Sequence, residues 1–123
     1  MKIQESAENY LETILILGEK QPFVRSIDIA NELGFSKPSV SVAMKNLRNS
    51  GHILVDENGH ITLTDSGRAI AETIYERHTA LSQWLEQLGV DSQTAAQDAC
   101  RIEHVISAES FAAIKAHIKQ GRR

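Results

Sequence analysis

The sequence predicts a mainly α-helical protein, in which an N-terminal winged helix-turn-helix with a small β-hairpin wing precedes an all-helical segment. Two helical stretches joined by a glycine-containing turn occupy residues 26–50. A pair of β-rich runs follows directly, and three further helical stretches complete the chain. We therefore expect two domains, over residues 1–65 and 66–123.

The first helix is predicted over residues 6–18. Ser6 is a suitable N-cap and Gly18 a suitable stop. Tyr10, Ile14 and Leu17 recur at helical spacing and form one apolar stripe. This pattern is typical of a helix that packs one face on a core.

The helix-turn-helix lies in the segment SIDIANELGFSKPSVSVAMKNLRNSG. Ser26 is predicted to cap a helix over residues 27–33, which Gly34 ends. Ser36 is predicted to cap a second helix that runs to about Ser50. Both helices carry apolar residues at helical spacing, which we expect to face the core: Ile29, Ala30, Leu33, Val40, Met44 and Leu47.

A wing is predicted from two short β-rich runs, Ile53–Val55 and Ile61–Leu63. Asn58-Gly59 between them is a strong hairpin-turn signal.

Three helices are expected after the wing. The first covers residues 65 to about 88 behind a Thr64 cap, and the second covers residues 91 or 92 to about 106. The last is opened by Ser107 with Glu109 or Ser110.

Charge is distributed unevenly along the chain. The net charge of −3 argues against a generally basic, nonspecific nucleic-acid binder. Between Ser36 and Gly51, however, every charged residue is basic. A helix in the major groove presents its first turns to base edges and flanking cations to phosphates. The predicted DNA contacts are Arg25, Ser36, Lys37, Pro38, Ser39, Ser41, Val42, Lys45 and Arg48. Taken singly, each of these residues is more often a helix cap or a solvated surface residue than a DNA contact. Taken together, the acid-free helix and the wing beside it favour DNA binding.

A second constellation is typical of metal binding. Cys100, Glu103 and His104 stand at i, i+3 and i+4 of a predicted helix and would share one face. A thiolate, a carboxylate and an imidazole together suit a transition metal. Further donors are Asn9 and Glu12, three apart on the first helix, and His78 on the long helix. The residues alone leave alternatives open, since a lone cysteine is usually a small buried hydrophobe and a Glu-His pair is often an ion pair.

Cellular location follows from two features. Cys100 is the single cysteine, which excludes an internal disulfide and suits a reducing compartment. The N-terminal MKIQESAENY has no apolar stretch of signal-peptide type, and no run approaches membrane-spanning length. We expect a cytosolic, cytoplasmic chain with no membrane partner.

Along essentially its whole length, the sequence resembles the diphtheria-toxin-repressor and manganese-transport-regulator family of metal-dependent transcriptional repressors. The likeness rests on SAENYLETI, GFSKPSVSVAMKNL and LTDSGRAIA, and most distinctively on ERHTALSQWLEQLGV and ACRIEHVIS. It implies a non-enzymatic homodimer that binds operator DNA and controls metal homeostasis genes. It also implies that a metal ties the first helix to the dimerisation half, in the short form without a C-terminal SH3-like domain.

Carried over by position, the resemblance places metal ligands at Asn9, Glu12, His78, Cys100, Glu103 and His104, and dimer contacts at Leu81, Trp84, Leu85 and Leu88. Cys100 matches the iron-type members and Glu12 the manganese-type members, whereas Asn9 matches neither. An accessory site of the iron type would need a carboxylate and an imidazole where this chain has Ser82 and Ala96, so that site is expected to be lost or altered.

Ligand softness orders the expected metals. A thiolate favours Fe²⁺ over Mn²⁺, so Fe²⁺ is expected first and Mn²⁺ second, with Zn²⁺, Co²⁺ or Ni²⁺ binding in vitro. The competing interpretations are a winged-helix regulator without metal sensing, in which Cys100 is redox-active or structural, a small metalloenzyme, and a pure interaction module. No residue indicates an independent general base for an enzyme, and the acid-free recognition helix argues against the module.

Overall fold

The computed structural model describes residues 3–120, and their side chains from residue 6 onward. The elements are α1 (Ile3–Lys20), α2 (Ser26–Leu33), α3 (Lys37–Asn49), β1 (Ile53–Val55), β2 (Ile61–Leu63), α4 (Asp65–Gln87), α5 (Ser92–Ile102) and α6 (Ala108–Gln120). Over these residues the predicted class, mainly helical with one antiparallel hairpin, is confirmed. The chain divides into two compact units, the first ending at Thr73 and the second beginning at Ile74.

The core of the first unit is aliphatic. Leu11, Ile29, Val40 and Ile53 come from α1, α2, α3 and β1, and each is at most 1% exposed. Each helix reaches this core with the apolar face that its spacing predicts. The unit therefore encloses its own core.

The helix α1 is longer at both ends than predicted. It begins before Ser6, which is therefore not an N-cap, and it continues through Gly18 to Lys20. A glycine inside a helix costs only about 1 kcal/mol. Burial of neighbouring side chains such as Leu15 and Leu17 outweighs that cost, because each contributes roughly 1.5–3 kcal/mol.

The start of α2 also differs by one residue from the prediction. Arg25 occupies the N-cap position in extended conformation, and Ser26 is the first helical residue. The Asp28 carboxylate accepts a 2.9 Å hydrogen bond from the Arg25 backbone N–H, which satisfies one amide at the helix start. Gly34 ends the helix with φ of 71°, as its predicted role as a stop requires.

The wing is a hairpin in which Ile53 pairs with Leu63 and Val55 with Ile61. At its tip Gly59 has φ of 78°, while Asp56 Oδ1 accepts hydrogen bonds of 2.9 Å from both the Asn58 and His60 amides. Both hydrogen bonds lower the pKa of the Asp56 carboxyl, and the bond from the His60 amide has the larger effect. The turn is thus held by an ionised side chain.

A tight junction joins the end of α3, the wing and the start of α4. Thr64 Oγ1 donates to Gly51 O over 2.7 Å and accepts from Gly67 N over 3.2 Å, so Thr64 caps α4 as predicted. Gly67 lies so close to the chain that a Cβ there would be 2.0 Å from the carbonyl oxygen of His52. Position 67 therefore requires glycine because the His52 backbone lies so close to it, and not because the residue adopts a positive φ.

The second unit has a smaller core. Leu81, Ala99 and Phe111 from α4, α5 and α6 are buried there. Asp91 caps α5 by accepting from the Gln93 and Thr94 amides. The helix α5 ends at Ile102, four residues earlier than predicted. No helix in the described range 3–120 is long and apolar enough to cross a membrane.

Candidate metal centre and DNA-reading surface

The buried carboxylate of Glu103 is the centre of the candidate metal site. Its side chain is fully buried, and each oxygen lies near a different imidazole. Oε2 lies 2.9 Å from His78 Nδ1, and Oε1 lies 3.3 Å from His104 Nε2. A buried carboxylate is strongly unfavourable unless cations or hydrogen-bond donors compensate it. The surroundings of Glu103 therefore indicate a carboxylate that is positioned to bind a cation.

The Cys100 thiol lies close to the Glu103 carboxylate. The donor atoms of Cys100, Glu103 and His104 all lie within 4.8 Å of one another. Donors that bind one ion at about 2.0–2.3 Å are at most roughly 4.6 Å apart, so the three fit a common ion after small side-chain movements. Cys100 is exposed, whereas the His104 side chain is only 7% exposed, so the cluster is open to solvent on the Cys100 side.

The backbone conformation that brings Glu103 and His104 towards Cys100 differs from the predicted continuous helix. Glu103 and His104 lie in a turn beyond α5 rather than on the helix. Glu103 nevertheless keeps helical dihedrals (φ −58°, ψ −26°), and its N–H donates to Ala99 O over 2.9 Å. Helical geometry thus persists just far enough for the spacing argument to succeed.

The remaining predicted ligands belong to the first unit. Asn9 and Glu12 lie one turn apart on α1, and the Glu12 side chain is buried. Asn9 is half-buried, and its backbone carbonyl accepts a 2.8 Å hydrogen bond from Thr13 Oγ1. The second unit by itself therefore brings together four of the six predicted ligands: His78, Cys100, Glu103 and His104.

The predicted DNA contacts are all exposed, while Val40, Met44 and Leu47 of α3 face the core. The Ser36 hydroxyl caps α3 by accepting from Ser39 N over 3.3 Å and donates to Ser39 Oγ over 2.8 Å. The exposed set comprises Arg25, Ser36, Lys37, Pro38, Ser39, Ser41, Val42, Lys45 and Arg48. The first turn of α3 carries no acidic residue, which leaves its N-terminus suited to anions.

Two residues that sequence reasoning missed tie the wing to the segment before α2. The rings of Phe23 and His60 stack with centroids 4.2 Å apart. Arg25 Nη2 lies 3.1 Å from His60 Nε2. No spacing rule links positions so distant in sequence; the exposed aromatic Phe23 beside Arg25 is the one local signal that was available.

The predicted dimer contacts need one correction. Leu81 is fully buried inside its own unit, where it packs with Ala99 and Phe111, so it presents no surface to another chain. Trp84 and Leu85 are half-buried, and Leu88 is 64% exposed. Leu81 fails because it faces α5 and α6 across the small core.

A winged helix-turn-helix followed by a helical unit with a thiolate–carboxylate–imidazole cluster defines a metal-responsive DNA-binding regulator. Comparison with known proteins agrees. Residues 2–61 match the family model described as iron dependent repressor, N-terminal DNA binding domain. Residues 64–123 match its metal binding and dimerisation domain. The chain belongs to the iron-dependent repressor family.

Individual relatives point the same way. A helix-turn-helix transcriptional regulator of Methanocaldococcus jannaschii is 31% identical over 92% of this chain and 92% of its own. The regulator MntR of Geobacillus kaustophilus is 32% identical, covering 83% of this chain and 72% of its own. A solved manganese-dependent transcriptional repressor in complex with manganese superposes with a TM-score of 0.84 at 31% identity over 92% of this chain.

These relatives are transcriptional regulators rather than enzymes, so the chain is a metal-dependent repressor of the manganese and iron class. Nothing in them favours a winged-helix regulator that senses no metal. The chain spans 52% of the length of the solved manganese-dependent repressor that it matches.

Proposed function

We propose that the chain represses transcription as a homodimer that binds operator DNA when a divalent metal is bound. The observation that carries this proposal is the convergence of Cys100, Glu103 and His104 within 4.8 Å around a fully buried carboxylate. When bound, a divalent cation would neutralise the buried Glu103 carboxylate and the Cys100 thiolate. His78, hydrogen-bonded to Glu103, is proposed as a fourth donor.

Asn9 and Glu12 are proposed as additional donors. Their support is the position of the family's ligands in the sequence and their spacing of one helical turn on α1. Glu12 adds a carboxylate, whereas Asn9 offers a neutral amide oxygen. A donor set that mixes thiolate, carboxylate, imidazole and amide is intermediate in softness.

The choice of metal is proposed from two kinds of support. The Cys100 thiolate favours Fe²⁺, and this led us to expect Fe²⁺ first. The relatives include MntR regulators and a repressor solved with manganese, which support Mn²⁺ at least as well. We therefore propose Fe²⁺ or Mn²⁺ as the regulatory ion.

DNA recognition is proposed for α3, whose N-terminal half would face the bases while cations along the helix meet phosphates. Lys37, Lys45 and Arg48 would meet phosphates, and the exposed Val42 would meet an apolar base edge such as a thymine methyl. In a dimer, two such helices would occupy successive major grooves ~34 Å apart. Trp84, Leu85 and Leu88 of α4 are proposed as dimer contacts, and the repressor would act on the chromosome in the cytoplasm.

The test is anaerobic DNA binding across a series of buffered metals. Duplexes selected from a random library in the presence of Mn²⁺ or Fe²⁺ supply the probe, and fluorescence anisotropy gives Kd with each ion and with chelator. Coupling between metal and DNA is typically about 1–3 kcal/mol, so metal should tighten DNA binding by roughly 5–150-fold. The coupling is reciprocal, so DNA should tighten metal binding by the same factor.

Two variants sharpen the test. Cys100→Ser should weaken metal binding and abolish the metal effect on DNA, because it replaces the thiolate with a neutral hydroxyl. Arg101→Met is the matched control, since Arg101 is the next residue on α5 and its side chain is 82% exposed. Equal DNA affinity with metal and with chelator in the unaltered chain would refute the proposal.

A further inference from the structure

Arg77 is a half-buried cation whose contacts reach across the second unit. Its Nη1 donates hydrogen bonds to two backbone carbonyls, Glu103 O and Ile106 O, each over 3.1 Å. Its guanidinium carbon lies 5.8 Å from the centroid of the Phe111 ring. Arg77 thus joins α4 to the segment between α5 and α6, which sequence reasoning did not anticipate.

The two carbonyls belong to the turn 103–106 that follows α5. Carbonyls at a helix C-terminus have no intrahelical donor and need another partner. Within the turn, the Val105 and Ile106 amides both donate to Ile102 O over 3.0 Å. The carbonyls of Glu103 and Ile106, at the two ends of the turn, are bound by Arg77. A single guanidinium therefore closes the turn at both ends.

The same turn carries two of the proposed metal donors, Glu103 and His104, and His78 directly follows Arg77 on α4. We propose that Arg77 is a positioning residue of the metal centre, which holds the turn 103–106 in the conformation that brings its donors together. This inference rests on the proposed function, because it assumes that the cluster binds a metal. Losing a hydrogen bond to a ligating side chain typically weakens metal binding by about 10–100-fold; Arg77 binds the backbone that carries the ligands, so the lower end of that range is expected.

Electrostatics and positioning predict opposite signs for the loss of Arg77. A guanidinium this close to the donors repels a divalent cation, so Coulomb's law alone predicts tighter metal binding when its charge is removed. Positioning predicts weaker binding, because the freed turn must be ordered again each time a metal binds. The direction of the change in Kd therefore identifies which effect dominates.

The test compares the full-length chain with Arg77→Met, Arg77→Lys and Arg101→Met. Mn²⁺ and Co²⁺ affinities are measured anaerobically by competition with a fluorescent chelator. We expect R77M to raise Kd about tenfold, and R77K, which keeps the charge and a donor, to recover part of that loss. R101M removes one charge from the exposed face beside Cys100 and is expected to change Kd by less than about twofold.

A second readout needs no metal. Amide hydrogen exchange of the apo chain should speed up in R77M at residues 103–106 and remain unchanged in α2 and α3. R77M and R77K should still unfold cooperatively in urea. If R77M exchanges like the unaltered chain, or binds metal equally or more tightly, the positioning role is overturned. If the unaltered chain binds neither ion, the proposed function itself fails.

Discussion

Replacing Gly67 by alanine tests the junction between the recognition helix, the wing and α4. The added Cβ would lie 2.0 Å from His52 O and 2.9 Å from His52 C. Both are backbone atoms, so no side-chain rotation relieves the contact. The same carbonyl oxygen accepts a 3.1 Å hydrogen bond from Thr64 N. The substitution therefore forces apart the segments that this bond joins.

Two opposing effects set the magnitude. Alanine is the better helix former, which would stabilise the folded state by up to about 1 kcal/mol. Overpacking against a fixed backbone costs about 1–3 kcal/mol, and weakening the Thr64–His52 hydrogen bond costs about 1 kcal/mol more. We therefore expect Gly67→Ala to lower the free energy of unfolding by roughly 1–3 kcal/mol.

Gly18 provides the matched control. It also lies within a helix, and nothing lies within 4 Å of the position its Cβ would take. Gly18→Ala should therefore raise the free energy of unfolding by about 0.5–1 kcal/mol. Urea unfolding of the apo chain, followed by circular dichroism, measures both variants. Equal or greater stability of Gly67→Ala would refute the reasoning about the junction.

Two further predictions concern neighbouring parts of the reading unit. Val40 is fully buried and Val42 is 61% exposed on the same helix. Val40→Ala should therefore lower the free energy of unfolding by roughly 2–3 kcal/mol, whereas Val42→Ala should change it by less than about 0.5 kcal/mol. Urea unfolding that ranks the two variants in the opposite order would contradict the packing of α3. The wing carboxyl of Asp56 should titrate below its ordinary pKa of 3.8 because the His60 and Asn58 amides bond the ionised form. Its contribution to wing stability is therefore complete above that value and is lost as the pH falls through the lowered pKa, and a carboxyl ¹³C titration that gives 3.8 or higher would contradict it.

The order of elements was predictable because each carries a local signal. The Ser36 cap, the Asn58-Gly59 turn and the Thr64 cap act within a few residues of the element that they define. Ends set by longer-range packing were missed. Gly18 is overridden by burial along α1, and α5 ends at Ile102 although the apolar spacing continues.

The metal cluster was predictable in composition and only partly in geometry. Spacing placed Cys100, Glu103 and His104 together, yet the last two stand on a turn. The contacts of Arg77 and of His60 depend on residues far away in sequence, so no periodicity reveals them. Leu81 was assigned to a surface because α4 alone shows an apolar face without showing what covers it.

The acidic net charge and the basic reading surface together set how salt should act on DNA binding. One chain exposes four cations in the predicted contact set: Arg25, Lys37, Lys45 and Arg48. If each neutralises one phosphate, the plot of log Kobs against log salt has a slope of about −3.6 for one chain and about −7 for a dimer. Anisotropy titrations at several salt concentrations with metal present measure this slope. With both reading helices of a dimer bound through all four cations we expect a slope near −7, and a slope near −3.6 would contradict that expectation.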